Sequence, residues 1–405
     1  MTHLNKKKLI HIIGGGLNQI PLVKRAKAKG LRILLTDMYP NPPAREFADY
    51  FEQVDTTDRE RTLEMSQKHG IDFVASDMTD VAVPTVAYIA EKLGLPGIGY
   101  ETSLRFTNKY VMRRTLQEKA PHVIPESHFF ENPKEAVDFC RQKANEKDYI
   151  IKPVNSQGSR GVFVLKAHQS DTWSSLIHSA FLESQKRGIL LERYIQGFEY
   201  SVETFVKDGK IHNLTLTKKY HYDHNPCLDE RNTFLGDVAE DLEKNLFAVN
   251  AQVIQALNLP FGMTHAEYKL ENGQPYLIEI AARGAGGGIS SHIIPYLTQF
   301  DTLDALLKVY MDEPLQIQVQ DYKKRFAVLK FFNFKPGKVK NITQDQSIVD
   351  QALFFSLNLQ AGQIVTLPKD SRDRPGYFIV NGAERGKVLN LEKAIESAIQ
   401  IDYDS

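Results

Sequence analysis

Strand and helix signals alternate through the first hundred residues, and this alternation constrains the fold more than any other feature. Short apolar runs at 8–13, 31–36 and 71–75 each end near a glycine or an aspartate. Helical stretches follow the first and the third of these runs. Strands that alternate with helices of this length form a parallel sheet covered by helices. The sequence therefore predicts an N-terminal doubly wound α/β domain over residues 1–105.

The pattern changes near residue 108, where strands and helices mix without regular alternation. At roughly 150 residues per domain, a chain of 405 residues suggests about two to four domains. We place a second, mixed α/β domain at 106–315 and a strand-rich α+β domain at 316–405, which ends in a helix predicted near 391–400. The chain shows no internal repeat and no low-complexity linker.

Charge and cysteine content exclude several classes of protein. Lysine plus arginine and aspartate plus glutamate both number 50, so the basic surplus typical of nucleic-acid-binding proteins is missing. The two cysteines are too few for a disulfide-stapled secreted fold. The uncharged stretch 351–368 is too polar to span a membrane. We therefore expect a cytoplasmic protein without nucleic-acid or membrane partners.

Three glycines, Gly14–Gly16, follow the first predicted strand, and Asp37 ends the second. This arrangement imitates a dinucleotide fingerprint, in which glycines let a helix N-terminus approach an anion. The third glycine position of that fingerprint is occupied by Gln19, which is not small. A tight strand-to-helix turn is the favoured interpretation, and a dinucleotide-dependent oxidoreductase is the weaker one.

Two lysines and one flexible loop have the chemistry needed to hold a triphosphate. Lys109 opens a predicted helix, Lys152 ends a predicted strand, and the segment 156–162 is rich in glycine and serine. An ammonium group neutralises phosphate oxygens, and glycine-rich backbone can fold over them. The order of residues in a Walker loop is absent, so the chain is not a P-loop protein of that type.

Four glutamates lie on predicted strands after this loop. Glu192 and Glu199 flank an apolar stretch, while Glu267 and Glu279 lie 12 residues apart on two strands joined by the turn 271–273. On paired antiparallel strands both of the latter carboxylates can face one cleft. Mg²⁺ prefers such carboxylates together with substrate phosphates.

The ordered set of these motifs resembles the ATP-grasp superfamily of carboxylate–amine ligases, over nearly the whole chain. Its layout is similar to that of biotin carboxylase and carbamoyl-phosphate synthetase. The resemblance implies that ATP is bound with Mg²⁺, or with Mn²⁺ as an alternative, under a mobile lid at about 122–190. It also implies that Glu267 and Glu279 are metal ligands, and that Glu279 and Arg283 take part in catalysis.

The resemblance further implies a set of nucleotide-binding residues that comprises two phosphate lysines, the lid loop, the adenine hinge and a ribose ligand. They are Lys109, Lys152, Gly158, Ser159, Arg160, Gly161, Glu192, Tyr194, Ile195 and Glu199. One position departs from the family pattern. Members often carry asparagine two residues after the second metal glutamate, and this chain has Ala281 there.

The implied activity is joining a carboxylate to an amine through an acyl phosphate, with release of ADP and phosphate. Both substrates are expected to be small molecules, with a small polar or amino-acid-like compound preferred. Two alternatives within the fold stay open: a non-catalytic nucleotide-binding module, which Ala281 would suit, and an enzyme of carboxylase or formyl-transfer type. A homodimer also stays open.

Overall fold

The first sheet consists of four parallel strands in the order β3-β2-β1-β4. The structure is a computed structural model, and it describes residues 7–143, 147–234 and 238–404. The strands are β1 (Leu9–Ile13), β2 (Arg32–Asp37), β3 (Tyr50–Gln53) and β4 (Phe73–Ala75). The helices between and after them are α1 (Ile20–Ala28), α2 (Arg59–His69) and α3 (Val83–Leu93). All five side chains of β1 are buried, as expected for a strand covered on both faces. The predicted N-terminal α/β fold is confirmed.

The glycine turn after β1 is held by the residues that imitated a dinucleotide site. The carboxylate of Asp37 accepts a hydrogen bond of 2.7 Å from the backbone N–H of Gly15. A Cβ at Gly15 would lie 2.7 Å from Pro42 Cγ, so this position requires glycine. Gln19 is buried and bonds to the backbone of Asp77. Asp37 and Gln19 therefore serve the turn itself, which favours the structural interpretation.

Two helices lead into a small antiparallel sheet of order β5-β8-β6-β7. The helices are α4 (Tyr100–Thr107) and α5 (Lys109–Lys119). The sheet and its two covering helices are β5 (Ser127–Phe130), α6 (Pro133–Lys143), β6 (Tyr149–Pro153), β7 (Phe163–Leu165), α7 (Trp173–Glu183) and β8 (Ile189–Arg193). Trp173 and Tyr149 lie in a core that belongs to this unit alone. The separate core supports a subdomain able to move as one body.

A sheet of eight strands in the order β13-β12-β9-β10-β11-β14-β18-β16 forms the centre of the molecule. Its first five strands and the helix that packs on them are β9 (Glu199–Lys207), β10 (Lys210–Tyr222), β11 (Asn225–Phe234), α8 (Glu240–Leu257), β12 (Gly262–Glu271) and β13 (Gln274–Ala281). The short helices α9 (Ile294–Thr298) and α10 (Thr302–Tyr310) follow. The remaining strands, β14 (Phe326–Phe331), β16 (Phe354–Leu357) and β18 (Gly376–Gly382), come from the last 90 residues. The sheet therefore crosses the boundary predicted at 315.

The other C-terminal elements form a three-stranded sheet of order β17-β15-β19 and two helices. They are β15 (Gly337–Gln344), α11 (Gln346–Val349), β17 (Ile364–Val365), α12 (Arg385–Ser397) and β19 (Ile399–Tyr403). The helix predicted near 391–400 was placed too late, because it begins at Arg385 and gives way to β19. Ile399 and Ile401 alternate there with the exposed Gln400, which is the period of a strand. Among the described residues no helix is long and apolar enough to cross a bilayer.

Candidate active site

One cavity of about 550 Å³ lies where the first domain, the small sheet and the large sheet meet. It has the size of a small-molecule binding site. The sequence-predicted residues that line it are Lys109, Lys152, Gly158, Ser159, Arg160, Glu192, Tyr194, Ile195, Glu199, Glu267, Glu279 and Arg283. Gly161 does not line it. Gly161 has φ +67, and a Cβ there would lie 2.8 Å from Pro153 Cγ, so this glycine allows close packing of the loop.

Lys152 ends β6 and is held inside the cavity by a fully buried carboxylate. Its Nζ lies 2.8 Å from Glu192 Oε2, and Arg113 Nε donates to Glu192 Oε1 at 2.6 Å. Burial opposes ionisation of Glu192, but Arg113 and Lys152 together lower the pKa of this carboxyl to about 2. Glu192 therefore positions Lys152 and does not offer a free carboxylate to a ligand.

The segment after β8 supplies an apolar slot beside Lys152. Tyr194 and Ile195 line it, and the Tyr194 hydroxyl accepts a hydrogen bond of 3.1 Å from Lys269. Apolar side chains from the small sheet and from β13 complete the slot, namely Pro125, Ile150, Val162 and Ile278. An apolar lining of this kind suits a nucleobase.

Two glutamates on β12 and β13 lie directly opposite each other, because the register of the hairpin shifts by one residue between Glu267 and Tyr268. The register pairs Glu267 with Glu279. Lys109 Nζ donates to Glu279 Oε1 at 2.5 Å, and Lys219 donates to Glu267. Lys219 Nζ also lies 3.0 Å from Glu199 Oε1. Although burial opposes it, Lys219 holds the pKa of Glu267 well below its ordinary value.

This pair of carboxylates fits Mg²⁺ only together with a phosphate ligand. Among the residues that the structure describes, no cluster of three or more histidine, cysteine or acidic side chains could hold a metal alone. Mg²⁺ usually keeps water and phosphate ligands and takes one or two carboxylates from the protein. Ala281, buried at the end of β13, adds no ligand. The donor set matches an ion that arrives with a nucleotide.

His265 links the pair to a second buried acid. Its Nδ1 lies 2.6 Å from Glu203 Oε1, and its Nε2 lies 3.1 Å from Glu267 Oε1. Burial alone would lower the pKa of His265, but the two glutamates raise it to about 9. A histidine held by carboxylates on both nitrogens orients Glu267 and is not a metal ligand in this arrangement.

Arg283 follows β13 and connects the cavity to the first domain. Its guanidinium makes two hydrogen bonds of 2.8 Å with the carboxylate of Asp80. Next to it, the backbone N–H of Gly284 donates to Asp77 Oδ1 at 2.7 Å. A Cβ at Gly284 would lie 2.2 Å from Ser290 Oγ, so the turn after Arg283 requires glycine here. Arg283 is thereby fixed at the border between the two domains.

Asp77 gives this border a pH dependence. Burial raises the pKa of Asp77 to about 6, with Glu203 adding to the effect. The folded state therefore binds the proton more tightly than the unfolded state, and stability should fall by about 3 kcal/mol as pH rises from about 4 to about 6. We expect Asp77→Asn, which keeps the acceptor for Gly284, to remove this decrease. Urea unfolding at pH 4, 5, 6 and 7 measures the free energy of unfolding of wild type and of Asp77→Asn. An equal dependence of this free energy on pH in both proteins would refute the assignment.

The loop 156–162 crosses the mouth of the cavity. Ser159 Oγ donates to the carbonyl of Cys227 at 2.5 Å, and the backbone N–H of Ser371 donates to the carbonyl of Gly158 at 3.1 Å. Gln157 accepts from the backbone N–H of Asp80 at 3.0 Å. The loop thus contacts the first domain, the large sheet and the C-terminal region at once.

These few contacts predict a lid that tightens on nucleotide. Most of them are single hydrogen bonds to backbone groups, and such segments open at low free energy. We expect hydrogen exchange at 156–162 to slow when ATP and Mg²⁺ are added, while exchange in α12 stays unchanged. Equal exchange with and without saturating nucleotide would count against a lid over 122–190.

Several residues of the site were missed by the sequence reasoning. Asp80, Arg113 and Glu203 each act through a partner that is distant in sequence, so no local pattern marks them. Lys219 was not missed, because its alternation with Lys218 on a strand predicts that one of the two lysines faces the cleft. Lys219 lines the cavity, whereas Lys218 does not, and its Nζ lies 3.6 Å from the centroid of the Phe198 ring.

Comparison with known proteins agrees with this geometry. Residues 146–292 match the ATP-grasp domain family. The chain is 25% identical over 235 residues to an L-arginine-specific L-amino acid ligase of Bacillus subtilis, covering 57% of this chain and 56% of the relative. It is also 25% identical over 268 residues to dapdiamide A synthase of Enterobacter agglomerans, covering 63% of this chain and 62% of the relative.

Solved structures share the whole fold. The L-amino acid ligase of Bacillus licheniformis superposes with a TM-score of 0.79 at 19% identity, covering 99% of this chain and 100% of that one. Phosphoribosylglycinamide synthetase of Anaerococcus prevotii gives a TM-score of 0.75 at 17% identity, covering 98% of this chain and 100% of that one. Residues 146–292 therefore match an ATP-grasp domain, and the chain as a whole shares the fold of these solved structures.

Proposed function

We propose that this protein is an ATP- and Mg²⁺-dependent ligase that joins a carboxylate to an amine through an acyl phosphate. One observation carries the proposal: two facing carboxylates, Glu267 and Glu279, share a cavity with Lys109, Lys152 and Arg283. Carboxylates for a metal, cations for phosphate and a further cation for the acceptor are the groups that such a transfer needs.

The nucleotide would lie with its base in the slot beside Tyr194 and its phosphates over the lysines. Lys109, Lys152 and the loop 156–162 would bind the phosphate oxygens, and Glu199 would accept hydrogen bonds from the ribose. Each of these cations has a carboxylate partner without ligand, so binding would exchange protein ion pairs for phosphate contacts. Mg²⁺, or Mn²⁺ in its place, would be held by Glu267 and Glu279 and would neutralise phosphate charge.

The reaction would proceed in two displacements. A carboxylate oxygen of the first substrate attacks the γ-phosphorus of ATP, the bond to the β-phosphate oxygen breaks, and ADP leaves. The amine nitrogen of the second substrate then attacks the acyl carbon, the C–O bond to phosphate breaks, and the nitrogen loses a proton. Arg283 would stabilise the negative charge on the acyl phosphate, and the closed lid would exclude water from this intermediate.

The products test the mechanism directly. We expect ADP and phosphate in equal amounts, formed only when both a carboxylate and an amine are present, in incubations with ATP, Mg²⁺ and pools of amino acids. Amino acids come first because a relative named above is an L-amino acid ligase. AMP as the stoichiometric nucleotide product would overturn the acyl-phosphate mechanism. ADP formed without any amine would indicate a carboxylase or a kinase.

A second candidate is a nucleotide-binding module without turnover. The observation that favours it is Ala281, which stands where many members of the superfamily have a further polar ligand. Calorimetric titration with ATP and Mg²⁺ separates the two candidates when it is combined with the product assay. Tight nucleotide binding without ADP formation across the amino-acid pools would favour the module.

A further inference from the structure

The cavity lining includes a further set of apolar side chains that the proposed nucleotide contacts do not use. Its members are apolar or aromatic side chains from the first domain, the glycine turn after β13, and strands β14 and β18. They are Met78, Ala285, Ile289, Leu329, Phe331 and Tyr377, and together they form the distal wall.

The distal wall is built by packing between sheet and turn. Phe331 and Tyr377 are paired across β14 and β18, with ring centroids 5.8 Å apart. Leu329 lies two residues before Phe331, on the same face of β14. A Cβ at Gly287, where φ is +63, would lie 3.0 Å from Leu329 Cδ2 and 3.7 Å from Phe331 Cζ. The absent side chain at Gly287 lets the turn approach the wall.

Met78 lines the cavity from a backbone conformation that residues other than glycine seldom adopt. Its φ is +56, in the left-handed region, and it is only 8% exposed. Such backbone strain persists only where the surroundings enforce it, and it concentrates at functional sites. The neighbouring Asp77 is fixed by Gly284 and by Gln19. A flexible thioether adapts to apolar ligands of different shape.

One cation that contacts this wall, Arg374, is already engaged by a carboxylate. Arg374 lines the cavity, but its guanidinium bonds to Asp229, and its Cζ lies 3.6 Å from the centroid of the Phe331 ring. Burial opposes ionisation of Asp229, but Arg374 holds the pKa of this carboxyl below its ordinary value. The pair supports the aromatic ring and leaves the wall apolar toward the cavity.

We propose that the distal wall binds the side chain of an amino acid substrate, and that this side chain is large and apolar. The inference rests on the proposed ligase function, because Arg283 then holds the reacting carboxyl group and the turn 284–288 directs the side chain toward Leu329 and Phe331. The sequence predicts a small polar or amino-acid-like substrate, and this proposal keeps the amino acid but makes its side chain large and apolar. An apolar wall of this kind should favour leucine, methionine or phenylalanine over alanine by about 10- to 100-fold in kcat/KM.

The test compares amino acids by phosphate release, with wild type, Phe331→Ala and Phe334→Ala. Phe334 lies on the same segment, stacks on Phe332 and does not line the cavity, which makes its truncation a matched control. We expect Phe331→Ala to lower kcat/KM for leucine and phenylalanine at least about tenfold relative to alanine, without changing KM for ATP. Phe334→Ala should keep the wild-type order. Wild-type preference for charged or small polar amino acids would overturn the proposal.

A binding measurement separates failure of this proposal from failure of the ligase function. Leucine and aspartate are titrated into the protein with Mg²⁺ and a non-hydrolysable ATP analogue. If no amino acid pair yields ADP but leucine binds and Phe331→Ala abolishes this binding, the ligase function fails and the distal wall stands. If leucine does not bind, the wall is not an amino acid site. Met78→Ala provides a second variant should Phe331→Ala fail to fold.

Discussion

Glu279→Gln is expected to lower turnover by roughly 10²- to 10³-fold or more while changing nucleotide affinity less than about tenfold. Glutamine keeps the size of the side chain but removes the charge that the metal site needs. The substitution also frees Lys109 from its 2.5 Å contact with Glu279, so this lysine stays available to phosphate. We therefore expect a large loss of turnover with only a small change in nucleotide affinity.

Lys152→Ala is expected to have the opposite effect from Glu279→Gln, because it should act mainly on nucleotide affinity. Lys152 is proposed to touch the nucleotide, so its loss should weaken ATP binding, measured by calorimetry, by about 10- to 100-fold.

Glu118→Gln, an exposed acid on α5, is the matched control for Glu279→Gln and should behave as wild type. Wild-type turnover in purified Glu279→Gln would end the assignment of Glu279 to the metal site.

Glu192→Gln is expected to cost about 3–5 kcal/mol of unfolding free energy, the largest stability effect that we predict. The substitution leaves Arg113 and Lys152 buried without the carboxylate that neutralises them. Since the pKa of Glu192 is lowered to about 2, the ionised carboxylate stabilises the fold fully above about pH 4.5. This contribution of about 3 kcal/mol is lost as pH falls from about 4.5 to about 2.

A second glutamate provides the control for this effect. Glu271 also pairs with an arginine, Arg193, at 2.7 Å, but both side chains are partly exposed. Solvent-exposed pairs contribute about 0–1 kcal/mol, so Glu271→Gln should change stability little. Urea unfolding of both variants at pH 7 and at pH 3 measures the difference. Similar losses for the two variants would show that burial of Glu192 does not determine its contribution.

The sequence predicted the parts of the site that depend on local spacing. The turn at 271–273 predicts the hairpin that carries Glu267 and Glu279, but a register shift between Glu267 and Tyr268 is what places the two glutamates opposite each other, and turn chemistry alone does not predict that shift. The role of Glu192 could not be derived from the sequence either. A strand pattern shows that a glutamate is present, but only the approach of α5 reveals that Arg113 engages its carboxylate.

Residues contributed by distant segments account for the other gaps. Asp80 meets Arg283 across 203 positions of the chain, and the distal wall combines the first domain with β14 and β18. The start of α12 at Arg385 and the strand β19 were missed for a different reason. Ile399 and Ile401 are too few to establish a period of two from the sequence before the partner strand β15 is known.

The eight-stranded sheet limits how this protein can be divided or recombined. β11 is hydrogen-bonded to β14 through four residue pairs, from Arg231–Lys330 to Phe234–Ala327. A fragment that stops at residue 315 would present β11 as a bare edge with unpaired N–H and C=O groups, which is a template for aggregation. A chimera joined at that point would inherit five strands of the sheet from one parent and three from the other. A chimera of two related proteins should therefore take residues 199–382, which contain the whole eight-stranded sheet, from a single parent.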